Sequence, residues 1–120
     1  MHELSIAQNI VEIIQQYVPA EERDRVRSVF TIVGEHSGVV ADSLTFSYQA
    51  ITAATVLERS HLEIEQVPFM VRCKNCSRDS HTIMGSIQCP LCNSLDTEVL
   101  AGTELRVREI EMEDELTENQ

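Results

Sequence analysis

Four cysteines constrain this chain more than anything else in it. They form two Cys-x-x-Cys pairs, Cys73 with Cys76 and Cys89 with Cys92, and the 120 residues contain no other cysteine. Each pair is a short turn that aims two sulfurs at one point. The twelve residues between the pairs are enough for a hairpin to carry the second turn over the first. Four thiolates at this spacing make a tetrahedral metal site, and Zn(II) is the ion such a donor set takes. A shell closed by four protein ligands leaves no position open to substrate, so the ion holds shape and any chemistry lies elsewhere. Iron in the same cage is a competing reading, as is a thiol couple cycling within one pair. The left-handed backbone that follows such a turn suits Asn93 better than Ser77. Metal binding should release protons and contribute folding energy, on the order of 10–16 kcal/mol for small zinc modules.

Composition narrows the rest. Hydrophobic residues make up 42%, aromatics only 4%, and Trp is absent, so Leu, Ile, Val and Ala must form the core. No apolar run approaches the roughly 20 residues of a membrane span, and the start, with Glu3 and helically spaced apolar residues, does not read as a signal peptide. Thiols kept free for metal fit a reducing compartment, which predicts a cytoplasmic protein. The formal net charge is −11, and a four-thiolate site around a divalent ion adds roughly two further negative charges. Such a field repels phosphate backbones, which argues against a nucleic-acid partner. Arg72, Lys74 and Arg78 form a small basic patch that reads as solvated surface. Glu109, Glu111, Glu113, Asp114, Glu115 and Glu118 crowd the end of the chain and read as a solubilising tail.

Residues 4 to 18 have helical periodicity. Leu4, Ala7, Val11, Ile14 and Val18 form one apolar row, and Ile6, Ile10, Ile13 and Tyr17 the next. Pro19 stops this helix, and residues 21 to 24 read as a charged connector. Residues 25 to 34 alternate as a strand. A second helix starts near Ala41 with Asp42 or Ser43 as its cap, a stripe of Leu44, Tyr48, Ile51 and Thr55, and Ala50, Ala53 and Ala54 for close packing. A strand over residues 61 to 67 ends at Pro68. The cysteine segment, roughly residues 70 to 97, is poor in large apolar residues. A last strand over about residues 103 to 112 changes phase between Val107 and Ile110, which predicts a bulge or burial on both faces. The predicted fold is α+β: a mixed three-stranded sheet covered by two helices, with an inserted zinc-ribbon-like module. The strand–helix–strand unit favours a parallel pair, and the last two strands are expected to form a hairpin with the metal module at its tip.

The opening Met1-His2-Glu3 is the second candidate site. A histidine in second position offers the terminal amine, its own backbone nitrogen and an imidazole nitrogen in fused chelate rings. That planar set suits Ni(II) or Cu(II) better than Zn(II), and the Glu3 carboxylate could complete the plane. His36, His61 and His81 read as surface or capping residues, with His81 also a candidate outer metal ligand. No Gly-x-Ser-x-Gly, Walker loop or His-Glu-x-x-His is present, and nothing suggests an enzyme.

The start MHELSIAQNIVEII, the stretch LEIEQVPF, and VRCKNCS through CPLCNSLDTEVLAGTELRVREIE together resemble the HypA/HybF hydrogenase maturation factors. The resemblance spans essentially the whole chain. It implies a nickel metallochaperone that binds Ni(II) at Met1, His2 and Glu3 as transferable cargo, and Zn(II) at Cys73, Cys76, Cys89 and Cys92. It also implies a HypB-type GTPase and the [NiFe]-hydrogenase large subunit as partners, with urease maturation proteins served by some members. On this reading residues 1–69 and 98–120 form the nickel-binding α/β domain, with the acidic tail from about residue 113, and residues 70–97 the zinc module. Some relatives place a histidine just after the knuckles, where this chain has Ser77 and Asn93. The alternatives are a zinc ribbon that binds nucleic acid or regulates, and a redox protein; neither accounts for the opening tripeptide.

Overall fold

The structure is a computed structural model that describes residues 2–113; Met1 and the acidic tail from Asp114 onward lie outside the described residues. Helix α1 covers His2–Tyr17, a 3-10 turn Ala20–Arg25, strand β1 Val26–Gly34, helix α2 Ala41–Thr52 and strand β2 His61–Val67. Strands β3 (Met70–Cys73), β4 (Asp79–His81), β5 (Thr97–Ala101) and β6 (Leu105–Met112) follow. The strands make two three-stranded sheets, ordered β2-β1-β6 and β4-β3-β5. Two compact units divide the chain: Met1–Thr31, Val39–Ile64 and Val107–Gln120 in one, Ile32–Gly38 and Glu65–Arg106 in the other.

In the first unit, α1 buries Ala7, Ile10, Ile14 and, just past its end, Val18. This is the seam between the two expected rows, and Tyr17 at its edge is 76% exposed. The residues after Pro19 are ordered, because Arg23 turns back to α1 and donates to Val18 O and Gln15 O, each at 3.0 Å. A cation on the last carbonyls satisfies groups that a helix end leaves unpaired. Helix α2 has no side-chain cap: Val40 is its N-cap, and neither Asp42 nor Ser43 takes that place. Its buried row is Leu44, Tyr48 and Thr52, so the stripe turns away from Thr55, and Ala50, Ala53 and Ala54 are exposed. The Tyr48 hydroxyl, buried with its ring, lies 2.6 Å from Ser60 Oγ, which also donates to Leu57 O at 2.6 Å. Burial pushes the Tyr48 phenol above its usual range, and the Ser60 bond opposes that shift.

The sheet is mixed, as expected, but its order differs from the expected hairpin. Strand β1 lies between β2 and β6. Glu113 N donates to Arg25 O and Gly34 N to Glu104 O, both at 2.7 Å, so β6 runs antiparallel to β1. Glu35 N donates to Val67 O at 2.7 Å at the matching ends of β1 and β2. The composition of the strands explains the order. Val29 and every residue from Thr31 to Gly34 of β1 are buried, which suits a centre. No residue of β6 is fully buried, and that pattern suits an edge. Val107, Ile110 and Met112 are half-buried, so the phase change is present without burial on both faces.

In the second unit, β3 pairs antiparallel with β4 and β5, setting Val71 opposite Ser80 and Val99. A register shift separates Met70 from Val71 on the β5 side. Ile32, Val33, Phe69 and Val71 are buried here together with Cys73 and Cys89. Glycines permit the close approach at one corner: a Cβ on Gly34 would meet the Gly102 carbonyl, and one on Gly102 would meet the Phe69 backbone. Ile83, Met84, Ile87, Leu91 and Leu95 are all exposed. The cysteine segment thus spends little of its apolar surface on burial, in keeping with a segment held by metal.

Candidate metal centre

The two cysteine pairs fold into matching knuckles. Cys73 N donates to Arg78 O and Ser77 N to Cys73 O, each at 2.9 Å. Cys89 N donates to Ser94 O at 2.9 Å and Asn93 N to Cys89 O at 2.8 Å. Both knuckles close through a left-handed residue, Ser77 at φ 61° and Asn93 at φ 67°. Serine adopts it despite its lower tolerance because the knuckle hydrogen bonds define the turn. Strand β3 delivers Cys73 to the first knuckle, and Lys74 N donates to Asp96 O at 2.8 Å just before β5.

The knuckles bring all four sulfurs together within 4.8 Å of one another. Cys73 Sγ lies 3.5 Å from Cys92 Sγ, and Cys76 Sγ lies 3.7 Å from Cys89 Sγ. A tetrahedron with zinc–sulfur arms of about 2.3 Å has edges of about 3.8 Å, so the cluster suits a structural zinc site. All four residues are free cysteines. Backbone N–H groups point at the two buried sulfurs: Cys76 N to Cys73 Sγ and Leu91 N to Cys89 Sγ, both at 3.4 Å. The Asn75 side chain donates to Cys92 Sγ at 3.6 Å.

Before an ion binds, these sulfurs hold protons unequally. The Asn75 amide, the Ser94 N–H and Cys73 bring the Cys92 thiol down to about 6. The Arg78 side chain lowers Cys76. The Cys76 N–H pulls Cys73 downward, but burial and its sulfur neighbours prevail and hold it up at about 11. A divalent ion held by Cys73, Cys76, Cys89 and Cys92 would take all four as thiolates and displace their protons.

At the other candidate site, His2 opens α1 with its side chain 60% exposed. Its Nδ1 lies 3.4 Å from Glu3 Oε2. The same carboxylate oxygen accepts from Val40 N at 3.3 Å. That bond holds the Glu3 carboxyl below its usual range, with a smaller contribution from His2. The His2 backbone nitrogen lies in the first turn of a helix, where N–H groups have no intrahelical acceptor. Met1 lies outside the described residues. His81 is paired, with Nε2 2.9 Å from Glu35 Oε1, and His36 sets its ring edge-on to Phe69 at 5.4 Å. His61 is exposed at the start of β2. The sequence reading missed Asn75, which donates to Cys92 Sγ, and Arg78, which lowers the Cys76 thiol; their positions inside and just past the first Cys-x-x-Cys were the available signal.

Among families of known proteins, the model described as "Hydrogenase/urease nickel incorporation, metallochaperone, hypA" matches residues 1–112. The chain belongs to the HypA family. The hydrogenase maturation factor HypA of Geobacter sulfurreducens is 40% identical over 113 residues, covering 94% of this chain and all 100% of that protein. That of Streptomyces avermitilis is 38% identical over 122 residues, covering 100% and 93%. Among solved structures, the solution structure of the Ni metallochaperone HypA from Helicobacter pylori superposes with a TM-score of 0.60 at 19% identity, covering 92% of this chain and 96% of that one. A second HypA solution structure gives 0.65 at 20% identity, covering 93% and 96%. At that identity the structural likeness bears on the fold. HypA proteins are metallochaperones and maturation factors, and the resemblance read from stretches along the whole sequence agrees with the family match. No helix among the described residues is long and apolar enough to cross a membrane.

Proposed function

We propose that this chain is a cytoplasmic nickel carrier for [NiFe]-hydrogenase maturation. Ni(II) is held as cargo by Met1, His2 and Glu3, and Zn(II) is held for structure by Cys73, Cys76, Cys89 and Cys92. The carrier receives or releases nickel alongside a HypB-type GTPase and delivers it toward the hydrogenase large subunit; urease maturation proteins are a further class of recipient. The chain performs no catalysis. Support comes from a contrast in exposure. The His2 side chain is 60% exposed, whereas Cys73 and Cys89 are 1% and 0% exposed and Cys76 and Cys92 are half-buried. A chelate at an open chain end can pass its metal to another protein's ligands, while a closed sulfur cage cannot be entered in the same way. Planar nitrogen donors favour nickel over zinc, and thiolates in a tetrahedron favour zinc, so the two sites sort the two metals by geometry.

Metal analysis and native mass spectrometry of untagged protein test this. Wild type is expected to hold zinc and to take up nickel. His2→Ala is expected to keep zinc and lose nickel, and Cys73→Ala to lose zinc. Nickel stoichiometry and affinity unchanged in His2→Ala would overturn the carrier reading.

A further inference from the structure

The two knuckles match in backbone and differ in side chains. Two residues past the first cysteine stands Asn75 in one knuckle and Leu91 in the other; two past the second cysteine stands Arg78 in one and Ser94 in the other. Both side-chain donors to sulfur therefore come from the first knuckle. They land on particular sulfurs. Cys73 and Cys89 are buried, and each has a backbone N–H at 3.4 Å. Cys76 and Cys92 are only half-buried, and the Arg78 and Ser94 N–H groups act on them in turn. The Asn75 amide crosses to Cys92 Sγ at 3.6 Å, and the Arg78 side chain acts on Cys76, whose thiol it lowers.

We propose that Asn75 and Arg78 are positioning residues that cover the two solvent-reachable thiolates and so govern how firmly the cage keeps its ion. The physical reason is the charge that remains on a metal-bound thiolate. Loss of the ion begins when a proton, an electrophile or a competing chelator attacks at an accessible sulfur or beside it. A donor that occupies a sulfur lone pair withdraws charge and blocks that approach, and a cationic donor does so more strongly. Arg78 also places one positive charge beside a site whose four thiolates outweigh a divalent ion. The buried sulfurs need no such cover.

This inference rests on the zinc reading of the cage, and the experiment separates the two. Full-length wild type, Asn75→Leu and Arg78→Ser, which copy the second knuckle's residues, are analysed for zinc per chain. Release of zinc to an excess of a chromogenic pyridylazo chelator is then timed. Iodoacetamide labelling of the zinc-loaded proteins is mapped by peptide mass spectrometry. Each variant is expected to hold one zinc and release it roughly tenfold faster than wild type. Labelling should rise selectively at Cys92 in Asn75→Leu and at Cys76 in Arg78→Ser, and stay unchanged at Cys73 and Cys89. Release rates and labelling equal to wild type overturn the proposal, as does an even rise at all four cysteines, which is what general loosening would give. Asn75→Gln and Arg78→Lys keep a donor and should return both readouts toward wild type; if they lose zinc as fast as the first pair, the proposal fails. Wild type that holds no zinc would overturn the zinc reading itself.

Discussion

At the scale of single residues, Glu3 has two partners besides any metal. Its carboxylate faces His2 Nδ1 at 3.4 Å and accepts the Val40 N–H at 3.3 Å, joining the first turn of α1 to the N-cap of α2. Glu3→Ala removes both contacts, and nickel affinity measured by calorimetry is expected to fall about tenfold with zinc content unchanged. The pH dependence has a definite sign. The Glu3 carboxyl is held below its ordinary value of 4.5, chiefly by the Val40 N–H. The contact is therefore complete at neutral pH, and its stabilising effect fades only as pH falls through the acid range toward the lowered value. Tyr48 makes a different case. Its buried hydroxyl bonds Ser60 at 2.6 Å, while Ser60 keeps a separate bond to Leu57 O. Tyr48→Phe removes one buried hydrogen bond without emptying the core, so the loss is expected to be about 1 kcal/mol. A urea titration should show a lower midpoint at constant slope.

At the scale of elements, legibility followed periodicity. Helix α1, helix α2 and strands β1, β2 and β6 were readable because each has enough residues for its apolar spacing to repeat. The strand order was not, because the apolar spacing in β2 and β6 shows that each has a wet face but not which neighbour it pairs with; that was decided by the two-sided burial of β1. Strands β3 to β5 are three to five residues long and were invisible for want of a period. The four-cysteine cluster was legible from spacing alone, whereas the groups that act on its sulfurs depend on how the knuckles fold over each other. The role of Gly34 was equally hidden. At the end of β1, a Cβ there would strike the Gly102 carbonyl and Thr103 N, which are backbone and cannot swing aside. Gly38, at φ 83°, has nothing within 4 Å of that position. Gly34→Ala is therefore expected to cost up to about 3 kcal/mol through overpacking, and Gly38→Ala nearer 1 kcal/mol through left-handed strain alone. Thermal melts of the two variants should rank them in that order.

At the scale of the whole molecule, regular structure is divided unevenly. Both α-helices among the described residues, 16 and 12 residues long, belong to the first compact unit, with a core of Ala7, Ile10, Ile14, Leu44 and Tyr48. The second unit holds the β4-β3-β5 sheet and every cysteine, and many of its large apolar residues face solvent. Stability should divide in the same way. Side-chain burial is expected to sustain the helices, and an ion cross-linking the four cysteines the small sheet, since so few apolar groups there are available to offset the entropy of ordering it. Stripping zinc from the wild-type protein with a strong chelator is expected to leave the helical circular dichroism at 222 nm nearly unchanged. Amide protection should collapse across Met70–Cys73 and Thr97–Ala101, and persist in His2–Tyr17 and Ala41–Thr52. Restoring one equivalent of Zn(II) should return it. Hydrogen exchange read by peptide mass spectrometry resolves these segments. Helical signal and sheet protection lost together at the same chelator concentration would show instead that burial and metal hold one cooperative structure.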